Sequence, residues 1–255
     1  MIGAGTTLLR ASSVTRPDRR TTIVRKAAQM SRSDASARPA SPRVRVRRRP
    51  ARASYDLDRV HEILDESLMC HVGFVIEDQP YVLPTLHVRV GDSLLIHGSR
   101  RNRMFNLIAD GAPVCVEATV LDGLAMGRSV LQNSVNYRSV VVLGTGTAVE
   151  DPEAKLERML ALVEKFIPGR LPDLRPLTDA ELASVLLVSI PLDECSVKVR
   201  TGDGDDAVAD RALPVWAGEL PLRVVPGQAV PDEHVPAGTD VPEYLRSWGL
   251  GRTGV

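Results

Sequence analysis

The chain has 255 residues and no net formal charge at pH 7, and hydrophobic residues make up 44% of it. This length and composition suffice for one substantial globular domain or two small ones. Aromatic residues make up only 4%, which argues against an aromatic stacking surface for single-stranded nucleic acid. No apolar run approaches the roughly 18 residues that a membrane-spanning helix needs, so we expect no membrane partner.

The zero net charge conceals two oppositely charged parts. Residues 1–52 carry 14 Lys and Arg against two acidic residues, whereas the remaining residues carry an excess of acids. Three interpretations of the basic part stay open: a disordered, solvated extension, an organelle transit peptide, or an arm for nucleic acid or a membrane surface. We predict a disordered basic extension over residues 1–53. Because the rest of the chain is acidic and would repel phosphate, we do not expect nucleic acid as the partner.

The three cysteines, Cys70, Cys115 and Cys195, are widely spaced and form no Cys-x-x-Cys pair. This spacing indicates neither a zinc ribbon nor a disulfide framework. Each cysteine lies in an apolar or β-type run, so we expect buried, reduced thiols and a cytoplasmic protein. His61, His87 and His234 share no metal-ligand spacing with His71, and we expect no metal site.

Hydrophobic spacing predicts short strands interrupted by helices. Helical spacing over residues 56–68, with Asp56 as the N-cap, predicts the first helix. The later elements are predicted from their period, caps and turn residues: strands at 70–77, 81–88 and 93–98, a helix at 102–110, strands at 113–121 and 124–132 joined by a hairpin at Asp122-Gly123, a strand at 137–150, a helix at 152–166 capped by Asp151, a short helix opened by the capping box at Thr178, and a final strand within 185–200.

This order predicts a mainly β protein with helices, an α+β fold built as a closed or split antiparallel barrel. A parallel doubly wound sheet does not explain it. The segment GTGTAV (144–149) resembles a dinucleotide-binding fingerprint, but Val149 stands at the third glycine position and the segment lies within a strand. We therefore expect its glycines to mark a bulge or bend of a barrel strand.

The stretch LLIHGSRRNR (94–103) ends a predicted strand in a dense set of donors. Gly98 would allow a ligand to approach closely, and Ser99 offers a hydroxyl at the start of the next helix, where an anion is favoured. Arg101 and Arg103 would bind phosphate oxygens in bidentate fashion, while Arg100 is predicted to be solvated. A capped helix with solvated arginines explains the same residues, and the sequence alone leaves both interpretations open.

Two further features carry polar side chains at strand positions. The segment SVNYRSV (134–140) places Asn136, Tyr137, Arg138 and Ser139 at the entrance of an apolar strand, as a hairpin shoulder or as a cluster that binds a polar ring edge. His71 is a structural residue, an acid/base group or an axial metal ligand. No GxSxG, HExxH or Walker pattern occurs, so nothing indicates a hydrolase or nucleotidase.

Six segments in this order resemble the pyridoxamine 5′-phosphate oxidase-related flavoproteins and, within them, the nitroimidazole-resistance (Nim-type) branch. The segments are YDLDRVHEIL, CHVGFVIEDQPYVLPT, LLIHGSRRNR, SVNYRSVVVLGTGTAVED, KVRTGDGDD and PVWAGELP. The resemblance implies an FMN-binding split β-barrel, antiparallel and of Greek-key type, with peripheral helices. It implies a homodimer with FMN at the subunit interface. We assign the barrel domain to residues 54–222 and a Pro/Gly-rich tail to residues 223–255.

The resemblance also implies which residues contact the cofactor. His71 matches the histidine near the reactive face of the flavin. The other implied contacts fall on four segments: His97, Gly98, Ser99, Arg101 and Arg103 at the phosphate, Val82, Leu83 and Pro84 beside the ring, Asn136, Tyr137 and Ser139 in a polar cluster, and Trp216 as a late aromatic that closes the site.

The implied function is that of an FMN-dependent oxidoreductase that reduces nitroimidazoles, nitro-aromatics or similar small acceptors, with His71 protonating or positioning the acceptor. A non-catalytic FMN- or haem-binding protein for sensing, storage or protection is the alternative. In the haem case His71 and His97 are the candidate axial ligands. Related split barrels bind haem or a deazaflavin in place of FMN, and these cofactors stay open as well.

Overall fold

An antiparallel sheet forms most of the part of the chain that the computed structural model describes, residues 38–249. The strands among these residues are β1 (Ala53–Ser54), β2 (Met69–Ile76), β3 (Gln79–Val90), β4 (Ser93–Ser99), β5 (Pro113–Met126), β6 (Ser134–Thr145), β7 (Thr147–Ala148), β8 (Val185–Pro191), β9 (Glu194–Arg200) and β10 (Gly218–Pro221). The α-helices are α1 (Leu57–Glu66), α2 (Arg103–Ala109), α3 (Pro152–Phe166), α4 (Asp179–Ser184) and α5 (Glu243–Arg246). None of the helices in residues 38–249 is long and apolar enough to cross a membrane.

The sheet is split because β3 changes its partner. The strand order is β1-β9-β6-β5-β2-β3-β4-β8-β7, and β10 adds to β5. Residues 79–86 of β3 pair with β2, whereas residues 87–90 pair with β4, so β2 and β4 diverge from a common strand. Every pair of strands is antiparallel. The structure therefore confirms the predicted split antiparallel barrel with peripheral helices.

Two-residue alternation places the core on one face of the central strands. On β2, Cys70, Val72 and Phe74 are buried, while Met69 and His71 are exposed. The buried residues pack with α1, α2 and the inner faces of β4, β5, β6, β8 and β9 in one apolar cluster. Each fully buried Val, Leu or Ile contributes roughly 1.5–3 kcal/mol of transfer free energy, so the inner face fixes the register of the strands.

The predicted helix caps are confirmed because they depend on local chemistry. The Asp56 carboxylate accepts from the Asp58 amide at 3.1 Å, and the Asp151 carboxylate accepts from the Ala154 amide at 2.8 Å. Thr178 and Glu181 form the reciprocal capping box at the start of α4. Each cap satisfies backbone donors that the first helical turn leaves free, typically stabilising a helix by about 1 kcal/mol.

The predicted hairpin at Asp122-Gly123 is wrong. β5 continues through this dipeptide to Met126, and the register with β6 shifts between Leu121 and Gly123, which makes the position a bulge. A Cβ on Gly123 would lie 2.8 Å from the Leu220 carbonyl oxygen, because β10 pairs with β5 there. The dipeptide has the composition of a turn, but its glycine is required by the close contact between β5 and β10.

Two other strands are divided. The segment 185–200 forms β8 and β9, which pair with different strands, β4 and β6. The predicted strand 137–150 is interrupted at Gly146, where a Cβ would lie 2.5 Å from side-chain atoms of Ile108 and Val188. The expected bend at the GTGTAV glycines is thus confirmed, and close packing of α2 and β8 explains it.

Packed residues begin earlier than the predicted domain start. Val44 is buried, the Val46 amide donates to the Tyr55 hydroxyl at 2.9 Å, and Arg43 forms an ion pair with Glu194. The part of the predicted extension before residue 38 lies outside the described residues. In the predicted tail, the Trp248 indole donates to the Phe166 carbonyl at 2.7 Å, which attaches its described part to the end of α3.

A buried polar group lies where β3 changes its partner. His87 is fully buried, and its Nε2 lies 3.0 Å from Lys165 Nζ and 3.2 Å from Ser67 Oγ. Lys165 Nζ also donates to the carbonyl oxygens of Leu64 and His87, at 2.7 Å and 3.0 Å. Burial, followed by the adjacent Lys165 ammonium, lowers the pKa of His87 to about 3.

We expect this histidine to make folding stability depend on pH. Its pKa is lowered from 6.5 in the unfolded chain to about 3, so stability is complete above pH 6.5 and is lost as the pH falls towards 3. Between pH 7 and pH 5 the loss amounts to about 2 kcal/mol. Urea unfolding at both pH values measures it, and the stability difference between the wild type and His87→Gln should shrink by that amount. A difference independent of pH would contradict the prediction.

Candidate functional site

The outer faces of β2, β3, β5 and β6 form one surface, the open face. Register places His71 opposite Pro84 on β3 and opposite Glu117 on β5. Side chains of directly opposed residues share a face of the sheet. The open face comprises Met69, His71, Val75, Val82, Pro84, Leu86, Cys115, Glu117, Thr119, Leu121, Tyr137, Ser139 and Val141.

Apolar side chains on the open face remain uncovered. Val82 is 66% exposed, and Met69, Val75, Leu86 and Leu121 are exposed as well. A contiguous apolar surface of this kind, with polar side chains among it, marks a site for a ligand or a partner. The core is complete without it, since alternation directs the other residues of these strands inward.

His71 is the titratable group at the centre of the open face. Its Nδ1 lies 3.5 Å from the Glu117 carboxylate, and about half of its side chain is exposed. Its Nε2 has no hydrogen-bond partner among residues 38–249. A carboxylate that holds one imidazole nitrogen leaves the other available as an acid, a base or a metal ligand. Among the described residues, no group of three or more His, Cys, Asp and Glu is arranged for a metal ion.

The thiols differ in exposure. Burial raises the pKa of Cys70 and of Cys195 to about 12, as expected for enclosed thiols. Cys115 is exposed, so the expectation that it is buried is wrong: it pairs with Gly73 on the open face, because alternation on β5 directs Val114 and Val116 inward. Partial burial and then the Glu117 carboxylate raise the pKa of Cys115, which keeps this thiol protonated.

The segment from His97 to Arg103 lies beside the split. Beyond Ile96 on β4 and before His87 on β3 the two strands no longer pair, so Ser99 and Pro84 lie on opposite sides of the gap. The Arg103 guanidinium is 5.6 Å from the ring centroid of Tyr81 on β3, which joins the two sides. The structure therefore brings the predicted residues of β3 and of the β4 end to one region. On β3, Val82 and Pro84 share the open face, but Leu83 lies on the opposite side.

Several side chains of this segment have structural contacts of their own. A Cβ on Gly98 would lie 2.2 Å from Phe105 Cε2, so this glycine is required by the packing of α2, whatever ligand approaches it. The Ser99 hydroxyl accepts from the Arg101 amide at 3.2 Å. Arg100 was predicted to be solvated, but its Nε donates to the Ala183 carbonyl at 2.8 Å. His97 is half-buried, burial lowers its pKa, and its enclosed Nδ1 has no partner among the described residues.

The segment SVNYRSV does not form one polar cluster. Tyr137 and Ser139 lie on the open face, whereas Asn136 and Arg138 lie on the other face of β6. Asn136 is buried, donates to Glu219 at 2.9 Å and accepts from Arg200. Arg138 contacts Glu66 and Asp122, each at 2.7 Å from its Nη2. Strand alternation therefore separates Asn136 from Tyr137 and Ser139, and a role for these residues at a cofactor stays a prediction.

Trp216 lies two residues before β10, which pairs with residues 123–126 of β5. Its side chain is 68% exposed. The structure thus places this residue near the end of β5 that follows the bulge, and a role in closing a cofactor site stays a prediction.

Sequence analysis missed a cleft of about 300 Å³ at the ends of β6 and β9, which we call the basic cleft. Its lining residues are Arg48, Arg49, Arg52, Leu131, Gln132, Asn133, Ser134, Lys198, Arg200 and Asp205. The run RVRVRRRPAR was a signal, but its composition indicated a solvated extension. Only β1, paired with β9 immediately after this run, shows that it is held against the barrel.

A family model described as pyridoxamine 5′-phosphate oxidase matches residues 56–199, more than half of the chain. The chain belongs to the pyridoxamine 5′-phosphate oxidase family. The match begins at the N-cap of α1 and ends in β9, so it contains the open face and the split. The basic residues Arg48, Arg49 and Arg52 precede it.

Two of the solved structures that match are similar to this chain over most of its length. The flavocytochrome Anf3 from Azotobacter vinelandii is 34% identical, with a TM-score of 0.78 over 84% of this chain and 100% of its own. The FAD and haem binding protein from Mycobacterium smegmatis is 36% identical, with a TM-score of 0.73 over 77% of this chain and 96% of its own. A protein from Bacteroides thetaiotaomicron, assigned to 5-nitroimidazole antibiotic resistance, matches at 21% identity and a TM-score of 0.49. No curated protein matches the chain.

We expect Gly98→Ala to destabilise the fold, because the added Cβ would overlap the buried Phe105 ring. Such overpacking typically costs about 1–3 kcal/mol in the free energy of unfolding. Gly227→Ala is the control, since nothing lies within 4 Å of a Cβ there. Thermal unfolding measures both, and Gly98→Ala combined with Phe105→Leu should recover part of the loss. Equal stability of Gly98→Ala and the control would disprove the packing explanation.

Proposed function

We propose that this protein is a flavin- and haem-binding redox protein in which His71 would bind the haem iron. The proposal is supported by two proteins of 34% and 36% identity, one a flavocytochrome and the other an FAD and haem binding protein. They cover 84% and 77% of this chain.

The observation that carries the proposal is the pairing of His71 with Glu117. An iron ligand must present an unprotonated nitrogen, and a carboxylate on the opposite ring nitrogen fixes the tautomer and raises the basicity of the ligand. His71 has this arrangement, with Nδ1 beside Glu117 and Nε2 unpartnered among the described residues. Met69, Val82 and Pro84 around it supply the apolar surface that a porphyrin requires.

His97, the other predicted axial candidate, suits a ligand contact less well. Its ring is half-buried against β8, and one of its nitrogens is enclosed. It lies at the split, where Val82 and Pro84 on one side and Ser99, Arg101 and Arg103 on the other would border a flavin ring and its phosphate. That assignment of the flavin site remains a prediction from the resemblance.

When bound, a flavin accepts an electron pair from a reduced donor, and a haem carries single electrons. The chain would hold the two groups on one apolar face and exclude water from between them. His71 would bind and orient the haem through Nε2, and Glu117 would keep the proton on Nδ1.

A second candidate is the reduction of nitroimidazoles or similar small acceptors by a flavin alone, without haem. The half exposure of His71 favours it, because an acceptor bound on the open face would contact the imidazole. His71 would then donate a proton from Nε2, and Glu117 would stabilise the charged ring. FMN or a deazaflavin would supply the electrons for this reaction. A protein that binds haem without catalysis would not need to carry out this reaction.

We expect His71→Ala to retain flavin and to lose most of the Soret absorption of the purified protein. Glu117→Gln should retain haem but bind it about 10–100-fold more weakly, as expected when the partner of a ligating histidine is changed. His234→Ala is the control, since that side chain is highly exposed and lies in the C-terminal tail. Absorption spectra and a haem titration measure both effects.

The two candidate functions predict different results in this experiment. An unchanged Soret band in His71→Ala would show that His71 does not bind the haem iron. A flavin spectrum without any Soret band, together with nitroreduction that falls in His71→Ala, would replace haem binding by the second candidate.

We also propose that the protein is a homodimer with the open face at the interface. The open face is large, apolar and uncovered, and Val130 and Leu131 between β5 and β6 are each 90% exposed. Apolar residues at this exposure are typical of surfaces that a partner covers. The cytoplasm remains the proposed compartment, since the three cysteines are free.

We expect Val82→Glu to dissociate the dimer, because the charge would be buried at the interface. The fold of each subunit should be nearly unchanged, within about 0.5 kcal/mol, because Val82 is exposed in the single chain. Val224→Glu is the matched control, with a similar exposure in the C-terminal tail. Sedimentation velocity should give the mass of one chain for Val82→Glu and of two for the control. Equal masses for the two variants would contradict the interface.

A further inference from the structure

The basic cleft carries more positive charge than the residues around it compensate. Four arginines and Lys198 line it, against one carboxylate, that of Asp205. In the adjoining cleft, by comparison, four arginines face three aspartates, Asp203, Asp205 and Asp206. The excess of cations is therefore larger in the basic cleft than in the cavity beside it.

Arg200 is the buried cation of the basic cleft. Its side chain is enclosed, since the residue is only 6% exposed. Its hydrogen bonds go to neutral oxygens, those of the Asn136 amide and of the Gly202 and Asp203 carbonyls. Removing a charge from water costs free energy that neutral partners offset only in part. An anion in the cavity would offset more of that cost.

The other cations of the basic cleft lack close anionic partners as well. Arg49 lies 4.0 Å from Asp205, the limit of an ion pair. Arg48, Arg52 and Lys198 form no side-chain hydrogen bond or ion pair within residues 38–249. Charges of one sign repel one another, and a bound anion would replace this repulsion by attraction.

The cations of the cleft come from two parts of the chain that are joined by few contacts. Residues 48–52, which we call the basic segment, precede β1, and β1 pairs with β9 through only two residues. Within the segment, Arg49 has φ 56° and ψ 57°, the left-handed region that non-glycine residues rarely adopt. Backbone strain of this kind persists where the surroundings enforce it, often at ligand sites. An anion held by the basic segment and by Lys198 and Arg200 of β9 would bridge the two parts.

The size and lining of the cleft indicate the class of ligand. A volume of about 300 Å³ is at the lower end of small-molecule pockets, so the ligand is small. Several guanidinium groups, each able to bind two oxygens of a phosphate or carboxylate, suit a ligand with more than one such group. Gln132, Asn133 and Ser134 add amide and hydroxyl groups. The lining contains neither His nor Cys, which indicates a binding site and not a second catalytic centre.

We propose that the basic cleft binds a small polyanion, a molecule with two or more phosphate or carboxylate groups, which bridges the basic segment to β9. The cleft shares no lining residue with the open face or with residues 97–103. The inference therefore goes beyond the proposed function and does not depend on it. The bound polyanion would stabilise the attachment of the basic segment to the barrel and leave the flavin and the haem in place.

The experiment measures the binding of small anions to the purified full-length chain by isothermal titration calorimetry. Inorganic pyrophosphate and citrate carry adjacent anionic groups of the two kinds, and inorganic phosphate carries a single group. Arg48→Gln with Arg52→Gln, the cleft variant, removes two cations from the cleft. Arg158→Gln with Arg223→Gln, the outer control, removes two cations elsewhere. A short duplex DNA tests whether the same cations bind a polymer instead.

We expect the wild type to bind pyrophosphate or citrate about tenfold or more tightly than phosphate, because several arginines contact a ligand with adjacent groups. The cleft variant should bind that anion about tenfold or more weakly, the effect of losing charged hydrogen bonds, and the outer control as the wild type does. Added salt should weaken binding to the wild type. The anion should also raise the midpoint of thermal unfolding more in the wild type than in the cleft variant.

Tighter binding of pyrophosphate would assign phosphate groups to the ligand, and tighter binding of citrate would assign carboxylates. No binding of either anion, or equal binding by the wild type and the cleft variant, would overturn the inference. Tighter binding of the DNA than of either small anion would also overturn it and assign the cleft to nucleic acid. Loss of flavin or haem absorption in the cleft variant would contradict the separation of the two sites. A chain that binds the anion but neither flavin nor haem would refute the proposed function alone.

Discussion

The change of partner along β3 at His87 is the constraint on which the rest of the structure depends. The first part of β3 pairs with β2 and the last part with β4, so the sheet opens between them. His87 stands at this point, and its imidazole is close to Ser67 after α1 and to Lys165 near the end of α3. Because one buried neutral ring contacts residues from two helices and a strand, the split has a fixed position. The open face and the β4 end lie on its two sides.

Local signals in the sequence were sufficient for most elements of this fold. Caps at Asp56, Asp151 and Thr178 act within one helical turn, and alternation in CHVGFVIE requires only the neighbours along the strand. The predictions that were wrong concerned residues whose structure depends on contacts with residues distant in sequence. Asp122-Gly123 has the composition of a hairpin, but β10 and Arg138 occupy both sides of it, and the strand continues as a bulge.

The candidate site was predicted unevenly for the same reason. His71 could be identified because a polar residue within an apolar strand is conspicuous, yet only the register with β5 shows that the Glu117 carboxylate lies beside its ring. Gly98 belongs to a segment chosen for phosphate, but its lack of a side chain is needed for Phe105. Asn136 and Tyr137 are adjacent in sequence and lie on opposite faces of one strand.

Asn136 connects β6 and β10 to the basic cleft. It lies inside the end of β6, where it accepts from Arg200 and donates to Glu219. The Asn136 amide thus lies between Arg200, which lines the cleft, and Glu219 of β10. Arg200 and Glu219 both contact the amide and do not pair with each other. Direct pairing with Glu219 would neutralise Arg200, because oppositely charged partners at contact distance cancel most of the field in the cavity. Because the Asn136 amide is neutral, the charge of Arg200 stays available to an anion. A carboxylate in place of this amide would neutralise that charge.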